Sequence, residues 1–161
     1  MRGEPAPPIQ DACAMTIAAV LRTKGNAVIS VAPDAPVVDV ARLIEQRRIG
    51  AVLVLDPHGR VLGIISERDI VRALATRAGG IEGLAAEQLM TRQVVMVDPA
   101  TPVDAALQIM DEGYFRHLPV VDADGALLGL VSVRDLVRHR LAQQQDAVES
   151  LTAYVTRSYM H

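Results

Sequence analysis

The chain carries one pattern twice, sixty-six residues apart, and this constrains its fold more than any other feature. Laying Val31–Arg72 over Val97–Arg138 without a gap pairs Pro33 with Pro99, Pro36 with Pro102, Asp56 with Asp122 and Gly59 with Gly125. The register continues through Gly63 with Gly129, Ser66 with Ser132, Arg68 with Arg134 and Asp69 with Asp135. The matched residues are mostly turn formers and polar groups, which shared aliphatic patterning does not produce. Two copies of one supersecondary unit follow, and recognising the repeat keeps the fold from being misread.

Hydrophobic periodicity supplies the elements. Residues 1–10 hold three prolines and read as a loose tail. From Asp11 to Thr23 the residues Ala14, Ile17, Val20 and Leu21 recur at helical spacing, and Lys24-Gly25-Asn26 ends that helix. In the first repeat, Ala27–Val31 is predicted as a strand, and Val37, Val40, Ala41 and Ile44 form one face of a helix. Ile49–Leu55 and Val61–Ile65 follow as a hairpin about Asp56-Pro57-His58-Gly59, with a helix from Ser66 to Ala75. The second repeat predicts strand Val94–Val97, helix Val103–Asp111, strands Phe115–Val121 and Leu127–Val131, and helix Ser132–Leu141. Gly79, Gly80 and Gly83 mark a flexible join, Ala85–Met90 a short helix, and Gln143–Tyr159 a separate tail helix that docks on the module or on a second subunit. The expected divisions are a tail and helix over 1–26, repeats over 27–78 and 94–142, a linker over 79–93 and a terminal helix over 143–161.

Composition narrows the functional classes. With 161 residues, half of them apolar, the chain can bury a substantial core. A net charge of −3 offers no general attraction for nucleic acid or an anionic membrane, and a single phenylalanine leaves few stacking platforms. One cysteine, Cys13, cannot form an internal disulfide, which suits a reducing, cytoplasmic setting. No run approaches the roughly 20 apolar residues of a membrane helix, and the first residues lack the pattern of a secretory signal. No metal-ligand spacing and no pairing of nucleophile with base is visible.

The chemistry concentrates in Gly63-Ile64-Ile65-Ser66-Glu67-Arg68-Asp69 and its copy Gly129-Leu130-Val131-Ser132-Val133-Arg134-Asp135. Each places a hydroxyl at the end of a strand and a carboxylate on the first turn of a helix. Free N–H groups and the positive helix end there can hold phosphate oxygens, and an acidic group can accept from a ribose diol. Gly63 and Gly129 permit close approach of backbone or ligand. Taken singly, Ser-x-x-Asp also reads as a capping box, worth about 1 kcal/mol with no ligand involved. Its recurrence after the same hairpin favours a site. Lys24, just before the first repeat strand, is within reach of a phosphate, whereas His58 and His139 read as surface residues and Arg134, Arg138 and Arg140 as a solvated basic edge.

Two strand-helix-strand-strand-helix units, each containing Gly-h-h-Ser-x-x-Asp, resemble a tandem pair of cystathionine-β-synthase (CBS) domains, the Bateman module, in its stand-alone bacterial form. The resemblance covers Ala27–Leu141 and includes Ile49-Gly50-Ala51-Val52-Leu53-Val54 and Phe115-Arg116-His117-Leu118-Pro119-Val120. It implies an α+β fold: two β-α-β-β-α repeats in a pseudo-twofold pair, flanked by helices, with two clefts for an adenosyl ligand such as AMP, ATP, NAD(H) or S-adenosylmethionine. By position, Asp69 and Asp135 would hold ribose hydroxyls, with Ser66 and Ser132 beside the ribose or phosphate and Arg68 and Arg134 in the same motifs. The segments Ile29-Ser30-Val31, Val95-Met96-Val97, Ala51-Val52-Leu53 and His117-Leu118-Pro119 would frame adenine. Arg116 and His117 match phosphate-contacting positions that are Gly50 and Ala51 in the first repeat, so the clefts should differ. Val133-Arg134 departs from the Ile-Gly common in relatives and would crowd or recharge one cleft. The resemblance also implies a homodimer through helices carrying Val40, Leu43, Ile109 and Met110. The leading reading is a non-catalytic regulatory module that senses an adenosyl ligand and acts on an unidentified partner. A ligand-free protein adaptor and, more distantly, an enzyme acting on nucleotides remain the alternatives.

Overall fold

The computed structural model describes residues 15–158, with side chains described as far as residue 150. The loose tail and Asp11–Ala14 of the first predicted helix lie outside the described residues. The elements are α1 (Ile17–Lys24), β1 (Ser30–Val31), α2 (Val37–Arg47), β2 (Ala51–Leu55), β3 (Val61–Ser66) and α3 (Glu67–Thr76), then α4 (Ala86–Leu89), α5 (Val103–Gly113), β4 (His117–Val121), β5 (Leu127–Ser132) and α6 (Val133–Ser158).

In the first repeat β2 is central, parallel to β1 and antiparallel to β3, with Ser30 opposite Leu53 and Leu53 opposite Ile64. Its residues Ala51–Val54 are buried, as the uninterrupted apolar run requires. In the second repeat β4 and β5 pair in the same way, but the strand predicted over Val94–Val97 reduces to one parallel bridge between Val97 and Val120. Pro119 supplies the reason. In the first repeat the Leu53 N–H donates to the Ile29 carbonyl at 3.3 Å. The equivalent residue, Pro119, has no N–H to give Val95, so the ladder cannot extend.

Each repeat is closed by a helix that precedes the other one in sequence. Ile17, Val20 and Leu21 of α1 share a core with Val97, Val103, Leu118, Val120, Val131 and Leu136 of the second repeat. Ala86 and Met90, from α4 and the residue after it, join Val40, Ile44, Val52, Val54, Ile65 and Ile70 of the first. The backbone bonds are matched: Ile17 N–H to Thr101 O and Ala18 N–H to Pro99 O on one side, Ala86 N–H to Ala35 O and Glu87 N–H to Pro33 O on the other. This crossing explains the paired glycines. A Cβ on Gly63 would lie 2.6 Å from Met90 Sδ and 2.8 Å from Thr91 O, and one on Gly129 would lie 2.8 Å from Leu21 Cδ2. Both admit the crossed segment and not a ligand.

Three further expectations are corrected. The helix after Ser132 and the tail helix are one element, α6, because Leu141-Ala142-Gln143-Gln144-Gln145 contains only good helix formers and no breaker. Its 26 residues extend about 39 Å, and residues 144–150 are exposed instead of docking on the module. The proposed dimer surface on α2 and α5 is largely spent inside the chain: Val40 and Met110 are buried, and Leu43 and Ile109 pack against the two cores. The exposed apolar side chains include Val71 and Leu74 on α3 and Val137 and Leu141 on α6, besides Val95, Met96, Tyr114 and Val148.

Candidate nucleotide clefts

Ser66 and Ser132 end their strands and cap α3 and α6 in the same way. Asp69 Oδ2 accepts from the Ser66 N–H at 2.8 Å and from its hydroxyl at 2.6 Å. Asp135 Oδ2 accepts from the Ser132 N–H at 2.8 Å and from its hydroxyl at 2.9 Å. Both motifs are therefore capping boxes, and both leave Oδ1 without a partner among the described residues. The capping role and a ligand role do not compete, since they use different oxygens of one carboxylate.

The two motifs open into two cavities. The larger, about 820 Å³, joins Ser132, Arg134, Asp135 and Arg138 of the second repeat to Ala27–Ile29 and Arg48–Ala51 of the first, with Lys24 at its edge. The smaller, about 310 Å³, joins Ser66, Arg68, Asp69 and Arg72 of the first repeat to Gln93–Val95 and Tyr114–His117 of the second. These are equivalent positions under the sixty-six-residue register. Each cleft draws one wall from each repeat, so neither repeat holds a complete site.

The clefts differ in charge and side-chain contact. In the larger, the Lys24 ammonium donates to Leu130 O at 2.6 Å and to Asp135 Oδ2 at 3.1 Å. Burial acts to raise the Asp135 carboxyl, but the Ser132 N–H, the Lys24 ammonium and the Ser132 hydroxyl outweigh it and hold the group below the usual carboxylate range. Glu45 and Glu67 also face this cavity. In the smaller, the Arg68 guanidinium is tied to the Tyr114 carbonyl at 2.8 Å. Arg116 and His117 line both cavities. Burial, reinforced by the charge of Arg116, pushes the His117 imidazole down to about 4, so its ring is neutral at pH 7. The ring lies over Gly50, where an added Cβ would sit 2.9 Å from its Cε1.

Among the residues expected at the sites, Ser66, Arg68, Asp69, Arg116 and His117 line the smaller cleft, and Lys24, Ala51, Arg116, His117, Ser132, Arg134 and Asp135 the larger. Val31, Val52, Val97, Leu118 and Pro119 do not line either cavity. Val52 and Leu118 are fully buried, Val97 nearly so, Val31 packs against the first core, and Pro119 is buried in β4. Strand alternation turns Val52 and Leu118 inward beside the cavity-lining Ala51 and His117, and Ile29 and Val95 line the cavities where Val31 and Val97 do not. Sequence reading missed Arg48, Arg72 and Tyr114 and gave Arg138 to solvent. Arg72 and Arg138 were legible as an extension of the repeated motif to Ser-x-x-Asp-x-x-Arg. Arg48 and Tyr114 occupy the left-handed end of α2 and α5, with φ of 52° and 55°. That conformation costs a non-glycine residue about 1 kcal/mol or more.

The CBS domain model matches residues 20–76 and 86–142. A 17.7 kDa protein of Acidianus ambivalens is 41% identical over 67% of this chain, and the match covers 64% of that protein's own length. Among solved structures, a CBS-domain protein of Agrobacterium tumefaciens is 36% identical, with a TM-score of 0.73 over 78% of this chain and 98% of its own. The CBS domain pair of protein MJ0100, in complex with 5'-methylthioadenosine and S-adenosyl-L-methionine, is 25% identical with a TM-score of 0.70, over 80% and 97%. A CBS domain protein of Pyrobaculum aerophilum, complexed with AMP, is 27% identical with a TM-score of 0.65, over 74% and 88%. The fold is that of a tandem CBS pair. This chain belongs to the CBS-domain family.

Proposed function

We propose that the protein is a regulatory module that binds an adenosyl ligand in the clefts at Asp69 and Asp135 and transmits occupancy to a partner. The observation that carries this reading is the duplicated carboxylate. In both repeats the capping bonds fall on Oδ2, Oδ1 has no partner among the described residues, and the aspartate lines a cavity that also carries arginines. A ribose diol can donate to that oxygen while the guanidinium groups donate to the oxygens of a phosphate and balance its charge. The ligands of the MJ0100 pair and of the Pyrobaculum protein share an adenosyl group, which supports a ligand of that class; AMP, ATP, NAD(H) and S-adenosylmethionine all carry it. Regulation requires that the ligand bind one arrangement of the repeats more tightly than another. Clefts built from both repeats suit that requirement, because a ligand there contacts both repeats at once.

Exposed Val71, Leu74, Val137 and Leu141 favour association through α3 and α6, and we take a second copy of the chain as the occupant. Sedimentation of wild type and of a Val71→Glu, Val137→Glu variant tests this, a dimer in the first and a monomer in the second being expected. Among the described residues no cluster able to hold a metal occurs, and no helix is long and apolar enough to cross a membrane.

Calorimetric titration with AMP, ATP, NAD, NADH and S-adenosylmethionine tests the central reading. Saturable binding that weakens in Asp69→Ala or Asp135→Ala, with the variants folded, supports it. Absence of binding by any of the five, in protein shown to carry no nucleotide from purification, transfers the function to a ligand-free adaptor.

A further inference from the structure

We propose, resting on the adenosyl reading above, that Arg68 is a strap that keeps the smaller cleft narrow and restricts it to compact adenosyl ligands. The larger cleft lacks the strap and takes an adenosyl ligand extended by a second nucleoside, as in a dinucleotide. The Arg68 guanidinium, from the first turn of α3, donates to the Tyr114 carbonyl at the end of α5 at 2.8 Å. Both residues are exposed and line the smaller cavity. The bond therefore ties the wall from the first repeat to the wall from the second at the cavity's solvent edge. Under the repeat register the counterparts are Arg134 and Arg48, and both line the larger cavity. No such bond joins them: the Arg134 side chain makes no hydrogen bond or ion pair among the described residues.

The backbone does not account for the difference. Arg48 and Tyr114 end their helices in the same left-handed conformation, with φ of 52° and 55°, so the two carbonyls are set alike. The side chains differ. Tyr114 brings a phenol, whereas Arg48 brings a second guanidinium into the cavity that holds Arg134, and like charges oppose the approach. Glu45, Glu67 and Asp135 line that cavity as well and compete for Arg134. The volumes follow the strap: about 310 Å³ where the walls are tied and about 820 Å³ where they are not. Small-molecule sites span about 300 to 1,000 Å³, so the tied cleft sits at the compact end and the untied one has room for a second nucleoside. For the smaller cleft to take the longer ligand its walls must part and the Arg68 bond must break, which costs about tenfold in affinity. Phe115 also lines the smaller cavity where Ile49 lines the larger. It fills space without joining the walls, and removing Arg68 leaves it in place.

The test is calorimetric titration of NAD and AMP into wild type, Arg68→Ala, Arg48→Tyr and the double variant Arg48→Tyr, Arg134→Ala. Arg48, Arg68 and Arg134 are exposed, so these replacements leave both cores intact. Wild type is expected to bind one equivalent of NAD tightly and a second about tenfold more weakly. Arg68→Ala should strengthen the second NAD equivalent about tenfold, by releasing the strap. Arg48→Tyr should allow Arg134 to reach the carbonyl and should weaken the first NAD equivalent to the level of the second. Adding Arg134→Ala should then restore it. A gain of affinity on removing an arginine is the opposite of what the loss of a phosphate contact produces, so the sign of the change separates a strap from a binding group. Two equal NAD equivalents in wild type, no NAD binding, or no gain in Arg68→Ala overturns the strap, and binding of AMP by the same protein leaves the adenosyl reading standing. Failure of AMP, ATP, NAD, NADH and S-adenosylmethionine alike to bind wild type overturns the adenosyl reading itself.

Discussion

The ammonium of Lys24 is bound to Asp135 Oδ2 at 3.1 Å, tying the end of α1 to the first turn of α6 across 111 residues of sequence. Asp69, at the equivalent position of the first repeat, accepts only from Ser66 among the described residues. The two carboxylates thus have the same capping geometry and different electrostatic partners.

Lys24→Met is expected to destabilise the fold by about 1 kcal/mol, the range for a partly exposed ion pair reinforced by a carbonyl contact. The ion-pair part depends on the charge of Asp135. Because the folded carboxyl lies below its usual value of 3.8, this stabilisation is present above that value and is lost as pH falls through the lower folded value. Urea unfolding of wild type and Lys24→Met at pH 7 and near pH 3 checks both claims. A gap between the two proteins that fails to narrow in acid means that Asp135 is not what Lys24 stabilises.

His117 sets a second pH dependence, at higher pH. Its folded value of about 4 lies below the usual 6.5, so the unfolded chain takes up a proton that the folded chain refuses. The associated stability is complete above pH 6.5 and is lost progressively as pH falls towards 4. The full loss is on the order of 3 kcal/mol for this largely buried ring. His117→Gln should remove that slope between pH 6.5 and 4 while keeping a polar group over Gly50. Chemical denaturation at four pH values across the interval measures it, and an unchanged slope in the variant assigns the dependence elsewhere.

What the sequence made legible was local or repeated. The Ser66 and Ser132 caps, the two hairpins and the equivalence of Asp69 with Asp135 all follow from residues a few positions apart, read twice. The missing strand at Val94–Val97 was written in Pro119, but its effect depends on which residue of β4 faces Val95, and that is register information. The crossing of α1 and α4 onto opposite repeats was hidden for a similar reason. Leu21 and Gly129, or Met90 and Gly63, announce nothing to each other along the chain, although both glycines were visible as repeated features. The resemblance by position gives whole segments, Val52 and Leu118 included, to a ligand, whereas alternation along a strand sends every second residue into the core. Arg48 and Tyr114 gave no signal, since neither is a residue type that favours the left-handed conformation it adopts.

The crossed helices yield the last prediction, which separates two glycines that the sequence treats as equals. At Gly63 an added methyl meets Met90 Sδ, which can move, and the Thr91 carbonyl, which cannot, because Thr91 O accepts from the Ile64 N–H at 3.1 Å and Thr91 N–H donates back to Ile64 O at 2.9 Å. At Gly129 the nearest atom is the end of the Leu21 side chain, and no backbone atom is among the close contacts. Gly63→Ala should therefore cost about 3 kcal/mol and Gly129→Ala about 1 kcal/mol, the two ends of the range for overpacking a filled core. The Leu21→Ala change alone should destabilise by removing a buried side chain, yet it should relieve Gly129→Ala, so that the pair is less damaging than the sum of its members. No such relief is expected from Met90→Ala in the Gly63→Ala protein, where the Thr91 carbonyl still blocks the methyl. Thermal or urea unfolding of the four single and two double variants measures these couplings. Equal relief in both pairs would falsify the distinction between a yielding side chain and a fixed carbonyl.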